Sequence, residues 1–105
     1  MILVREVFTF KPEFASAAQD LMQEMDDLVG PGAHAHPGWR GHAKFYQNVD
    51  QSAETILVYP WVSKESHRTL VDDEAEILAE FTDRYCARPR QIDYYSLLSV
   101  DVEET

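Results

Sequence analysis

The sequence predicts a single α+β domain of order β-α-β-β-α-β. Three observations carry that expectation. Stretches rich in β-branched and aromatic residues occupy both ends and the middle of the chain. Two longer stretches repeat their apolar residues with helical spacing. Turn and breaker residues separate all of these. A chain of 105 residues suits one domain, taken here as 1–105, and a domain of that size buries roughly two thirds of its unfolded surface.

Ile2–Phe10 reads as the first strand and ends at Lys11-Pro12. Pro12 suits the first turn of a helix, where its missing N–H is not needed. From Glu13 the apolar positions Phe14, Ala18, Leu21, Met25 and Leu28 are spaced 4, 3, 4 and 3, one stripe of an amphipathic helix. Gly30-Pro31-Gly32 is expected to stop it. A loop follows, and then Trp39–Val49 alternates. Trp39, Ala43, Phe45 and Val49 share one parity; Arg40, His42, Lys44, Tyr46 and Asn48 share the other. Residues 50–53 form a turn and Glu54–Val62 the third strand, bulged or unpaired near Pro60, which has no backbone donor. Ser63 is the expected N-cap of a second helix reaching about Cys86. Its stripe is Leu70, Ile77 with Leu78, Phe81 and Tyr85, interrupted by Glu74. Arg88-Pro89-Arg90 ends that helix, Ile92–Val102 is the fourth strand, and Glu103-Glu104-Thr105 is a frayed tail.

This order is the ferredoxin-like arrangement, a four-stranded antiparallel sheet with two helices on one face. Strands one and four carry large apolar groups at both parities: Leu3 and Val7 against Ile2, Val4 and Phe8, and Tyr95 and Leu97 against Tyr94 and Leu98. A single chain has no further element for the second face, so a homodimer with two sheets face to face is expected. Arg5 and Glu6 interrupt the apolar run of strand one, and a charge there needs a partner, across the dimer or on a ligand.

Composition narrows the partners. Nine basic against nineteen acidic side chains give a net charge of −10, which argues against nucleic acid and anionic membranes. No apolar run approaches the roughly 20 residues of a membrane span, and the N-terminus lacks the pattern of a secretory signal. The single cysteine, Cys86, makes no intrachain disulfide and lacks a context that would activate its thiol. A cytoplasmic location is expected. The glycines at 30, 32, 38 and 41 form no phosphate or dinucleotide fingerprint, and no cofactor is expected.

Two motifs resemble a known family. Pro-Gly-Trp-Arg-Gly at 37–41 opens the second strand, and Val-Tyr-Pro-Trp-Val-Ser-Lys-Glu-Ser at 58–66 links the third strand to the second helix. Both are similar to stretches of the dimeric α+β barrel superfamily, particularly antibiotic biosynthesis monooxygenase (ABM)-like domains. The resemblance implies a ferredoxin-like protomer pairing into a barrel, with a pocket between sheet and helices. It implies activities ranging from cofactor-independent oxygenation of aromatic polyketides and quinols to haem degradation, polyketide cyclisation, or none. Fold alone does not choose among them. Haem-degrading members carry an axial His near the middle of the second helix and an Asn in the first strand. This chain has His67 in the first turn instead, and no Asn in strand one.

The candidate chemistry centres on 30–42, which holds His34, His36 and His42. On an extended segment His34 and His36 point the same way, and with His42 they could supply three nitrogens to Zn²⁺, Cu²⁺ or Fe²⁺. Pro31, Gly32, Pro37 and Gly38 leave the loop's shape open, and no metal is expected. His42 is the candidate base, with Arg40 as the cation that stabilises an anion and Tyr46 beside them. Asn48, Trp61, Tyr59, Trp39 and His36 are candidate contacts for a small aromatic or polyketide-like ligand. The same strand face could instead be plainly solvated. The reading that follows is a cofactor-independent monooxygenase that deprotonates a phenolic or quinol-type substrate for direct reaction with O2. A cyclase of the same fold, a non-catalytic binding dimer, and a metal enzyme using the loop histidines remain alternatives.

Overall fold

The structure is a computed structural model, and it describes residues 1–103. Glu104 and Thr105 of the expected tail lie outside the described residues. The strands are β1 (Ile2–Thr9), β2 (Lys44–Gln47), β3 (Glu54–Trp61) and β4 (Gln91–Ser96), and the helices are α1 (Ala18–Ala35) and α2 (Lys64–Tyr85), with a 3-10 segment over Pro12–Ala17 leading into α1. The sheet order is β2-β3-β1-β4 with every neighbouring pair antiparallel. This is the ferredoxin-like α+β fold expected above.

Alternation along the central strands sets the layers. Val4, Glu6, Phe8 and Phe10 of the first strand region, and Thr55, Leu57, Tyr59 and Trp61 of β3, are buried. They pack with Leu21, Met22, Met25 and Val29 of α1 and Leu70, Leu78 and Phe81 of α2. The Phe81 ring meets Phe8 and Phe10 edge-on at 6.3 and 6.2 Å, a favoured aromatic geometry. Ser63 caps α2 by accepting from the Ser66 N–H at 3.1 Å. Lys11 Nζ donates to the Asp83 and Arg84 carbonyls at the other end, and Phe10 bridges to Cys86.

Four expectations are corrected. First, α1 does not stop at Gly30-Pro31-Gly32 but continues to Ala35, with no glycine at positive φ. Pro31 denies a hydrogen bond to the Asp27 carbonyl. Asp27 is exposed, so water can serve that carbonyl, while the added turn buries Val29 and Gly30 and packs Ala33 on the core. Second, β2 is only Lys44–Gln47, with an isolated bridge between Trp39 and Trp61 upstream. Third, Pro60 lies in unbroken register with Leu3 of β1. The Val62 N–H donates toward the other side, to Gly38 O. By strand alternation the donor that Pro60 lacks would face that same side, where β2 has already ended. Fourth, β4 ends at Ser96, and Leu97 through Glu103 run on exposed.

The two charges in β1 find partners inside the chain rather than across a dimer or on a ligand. Arg5 pairs with Asp93 of β4 at 2.8 Å, across the register that sets them opposite one another. Glu6, on the helix-facing side, reaches Arg90 just before β4. No helix among the described residues is long and apolar enough to cross a membrane.

Candidate functional site

A cavity of about 120 Å³ lies between α1, α2 and the β2–β3–β1 side of the sheet. Its walls are apolar, chiefly Met25 and Val29 from α1 with Phe45 and Leu57 from the sheet. Its floor is polar: Glu6, Tyr59, Glu74 and Arg90.

The floor is a hydrogen-bonded cluster on four elements. Arg90 Nη1 donates to Glu6 Oε1 at 2.5 Å and to Glu74 Oε1 at 3.0 Å. The Tyr59 hydroxyl donates to Glu6 Oε2 and also meets His67 Nε2. His67 Nδ1 lies 2.8 Å from the Tyr94 hydroxyl. One proton arrangement satisfies every pair: Tyr94 donates to Nδ1, Nε2–H donates to Tyr59, and Tyr59 donates to an ionised Glu6. His67 is fully buried, and Glu6 and Glu74 are 3% and 4% exposed. Among the described residues no buried side-chain nitrogen or oxygen lacks a partner, as interiors require.

Environment separates the two carboxylates. Burial alone would raise the Glu6 pKa. The His67 ring, the Arg90 charge and the Tyr59 hydroxyl together outweigh burial and hold Glu6 below the usual carboxylate range. Burial dominates at Glu74. Arg90 opposes it and the Glu6 charge reinforces it, so Glu74 is pushed up to about 7. Burial also raises the Tyr59 hydroxyl, with the adjacent Glu6 charge adding to it. Burial would lower Arg90, but the two carboxylates raise it. Glu74 Oε2 has no hydrogen-bond partner among the described residues. Since no fully buried oxygen there is unpaired, Oε2 keeps some exposure, and Glu74 lines the cavity. A carboxyl that exchanges a proton near neutrality thus sits beside a fixed guanidinium, the pairing an acid–base site needs.

The residues singled out from sequence are dispersed. His42 and Trp39 line the cavity mouth with His34, their rings 5.1 to 5.5 Å apart. Tyr59 is in the floor. Arg40 does not reach the cavity; Nη1 donates to the carbonyls of Pro37 and Trp39. Tyr46 pairs with Ile56 in the ladder, on the opposite sheet face from Phe45 and Leu57. The expected grouping of Arg40, His42 and Tyr46 on one strand face fails because residues 40–43 are not strand, so alternation does not run through them. Asn48 holds the β2–β3 turn, its Oδ1 accepting from the Asp50 and Gln51 N–H groups. His36 Nδ1 accepts from the Gly38 N–H, and its Nε2 meets Thr69 Oγ1. Trp61 is wholly buried, and its indole N–H donates to Ser66 Oγ at 3.3 Å. Among the described residues no group of three or more His, Cys, Asp or Glu side chains is placed to hold a metal.

The polar floor was missed except for Tyr59, yet it left a signal. His67, Leu70, Glu74, Leu78 and Phe81 are spaced 3, 4, 4 and 3, and all five are buried. Two polar residues on a core stripe, with Glu6 at a core parity of β1, mark a buried network.

No family model and no curated protein matches this sequence. Among solved structures, a Bordetella bronchiseptica protein provisionally named an antibiotic biosynthesis monooxygenase is 14% identical, with a TM-score of 0.69 over 92% of this chain and 96% of that one. A similarly named Nitrosomonas europaea protein is 13% identical, with a TM-score of 0.66 over 93% and 99%. One from Deinococcus radiodurans is 9% identical, with a TM-score of 0.66 over 99% and 100%. At these identities the likeness is one of fold.

Proposed function

We propose that this chain is a small-molecule enzyme, a cofactor-independent monooxygenase acting on a phenolic or quinol-type substrate. The observation that carries the reading is Glu74: a carboxyl near pH 7 with one free oxygen in a largely apolar cavity, beside Arg90. Fold similarity to proteins named as monooxygenases supports it.

In this reading Glu74 takes the phenolic proton. Arg90 steadies the phenolate, held in place by Glu6. The phenolate gives one electron to O2, the radical pair joins at a ring carbon as a peroxide anion, and Glu74 returns its proton to make the hydroperoxide. Loss of water then leaves a quinone, so phenol and O2 become quinone and H2O. The proton-accepting part expected of His42 passes to Glu74, and the anion-stabilising part expected of Arg40 passes to Arg90. His42 and Trp39 contact the ring at the mouth. The test is oxygen uptake with simple quinols, compared between the parent protein and Glu74→Gln. A drop of at least 100-fold in kcat supports the role; equal rates defeat it.

A binding role without turnover is the second reading, favoured by the complete internal pairing of Glu6, Tyr59 and His67. Ligand binding with no oxygen uptake would select it. We further propose that the working unit is a homodimer built on the sheet face away from the helices. Leu3 and Tyr95 are exposed there, and Leu97 and Leu98 continue the apolar surface. Light scattering should report twice the 12.1 kDa chain mass; a 12.1 kDa particle at micromolar concentration would remove the dimer.

A further inference from the structure

The volume, polarity and partition of the cavity narrow the ligand beyond the aromatic or polyketide-like class. Resting on the proposed function above, we infer that the cavity admits one aromatic ring, carried by a monocyclic phenol whose hydroxyl meets Glu74 and Arg90, and that Phe45 is the residue that excludes a second fused ring.

Size is the first argument. The cavity, open at its mouth, has a volume of about 120 Å³. An engineered apolar cavity of about 150 Å³ holds benzene, whereas pockets for drug-sized ligands run from about 300 Å³. Polycyclic skeletons need more room than this space offers. Met25, Val29, Phe45 and Leu57 supply apolar contact for a flat ring, and Trp39 lies at the opening.

Charge and hydrogen bonding select the substituent. At the floor the ligand meets an acceptor, Glu74 Oε2, and the N–H groups of Arg90 that have no acceptor among the described residues. A hydroxyl donates to the first and accepts from the second. A benzoate would bring its charge against Glu6 and Glu74. That is disfavoured by like-charge repulsion in a desolvated site.

The partition is the third and independent observation. Phe45 lines this cavity and also a second one of about 130 Å³ on its other side, bounded by Ala18, Gln19, Met22, Tyr46, Gln47 and Thr55. Phe45, on a four-residue edge strand, is the one lining residue these two spaces share. Phe45 is 40% exposed and belongs to neither the polar floor nor the buried core, so its truncation joins the spaces at modest cost to folding.

The experiment titrates the 105-residue chain with phenol, 2-naphthol and benzoate by isothermal calorimetry, and repeats the series with Phe45→Ala. The expected result is millimolar or tighter binding of phenol, at least tenfold weaker binding of 2-naphthol and benzoate, and recovery of 2-naphthol in Phe45→Ala. If Phe45→Ala does not fold by circular dichroism, the phenol-to-naphthol ratio of the parent protein decides. Equal affinity for phenol and 2-naphthol, benzoate binding as tightly as phenol, or no phenol binding at 10 mM on the order of weak-site affinities would each overturn the inference. Oxygen uptake is read separately on the same ligands and on their diols. Binding of one-ring phenols without any uptake overturns the oxygenase reading and leaves the one-ring limit standing. Uptake with a naphthalenediol overturns the limit and leaves the oxygenase reading standing.

Discussion

Replacing Glu74 with Gln should change how stability depends on pH. Glu74 is 4% exposed and its pKa lies at about 7 in the folded chain, against an ordinary value of 4.5. Below pH 4.5 the carboxyl is protonated in both the folded and unfolded states. Between 4.5 and 7 only the unfolded chain releases the proton, so stability falls as pH rises. Above 7 both states are ionised and the dependence is flat. At about 1.36 kcal/mol per pH unit the whole interval is worth about 3 kcal/mol, and the part between pH 5 and 8 about 2–3 kcal/mol. Glu6, held below its ordinary value, stays ionised over that range and adds little slope; its own contribution is lost only as pH falls below the carboxylate range. Urea unfolding at pH 5, 6, 7 and 8, at one protein concentration, reads the difference. With a urea m-value of about 2 kcal/mol/M, the parent midpoint should fall by about 1 M across the range while Glu74→Gln stays level. Parallel curves, separated by a constant offset, would show that Glu74 titrates as an ordinary carboxylate, and the acid–base assignment would fall with it.

Three further outcomes follow from packing. Gly38→Ala should destabilise by about 1–3 kcal/mol, measured by thermal melting, because a Cβ there would lie 2.3 Å from both Trp61 Nε1 and Ser66 Oγ. Ser63→Ala removes the cap of α2 and should lower stability by about 1 kcal/mol; an unchanged urea midpoint would show the cap idle. Pro31→Ala should raise the melting temperature, since an interior helix position costs proline up to about 3 kcal/mol relative to alanine and α1 runs through residue 31; a lower temperature would mean the helix does not continue there.

Much of the architecture was legible because it depends on local pattern. The apolar spacing of Phe14, Ala18, Leu21 and Met25, the cap at Ser63 and the alternation of β3 are all short-range signals. What escaped was long-range. The path of α1 through Gly30-Pro31-Gly32 depends on what Val29 and Ala33 bury, which no local preference encodes. The end of β4 depends on how far β1 extends beside it, since Ile2 pairs with Ser96. At the site, Tyr59, Trp39 and His42 were anticipated near a cavity. Arg40 and Tyr46 were not grouped with His42, because strand alternation was extended through residues 40–43, which form no strand; Asn48, His36 and Trp61 are held by hydrogen bonds of their own instead. Glu6, His67, Glu74 and Arg90 come together from positions up to 84 residues apart, and only their unexpected polarity on core-facing positions hinted at it.

The seam between Phe10 and Cys86 has a practical consequence. Cys86 is 6% exposed, and burial pushes its thiol pKa up to about 11, against a smaller opposing pull from Lys11. Alkylation of the folded chain is therefore slow, and it quickens as the end of α2 parts from the sheet. Because the sequence contains no other cysteine, the pace of alkylation is a ready-made clock for that local opening, usable on the unmutated chain without an added dye.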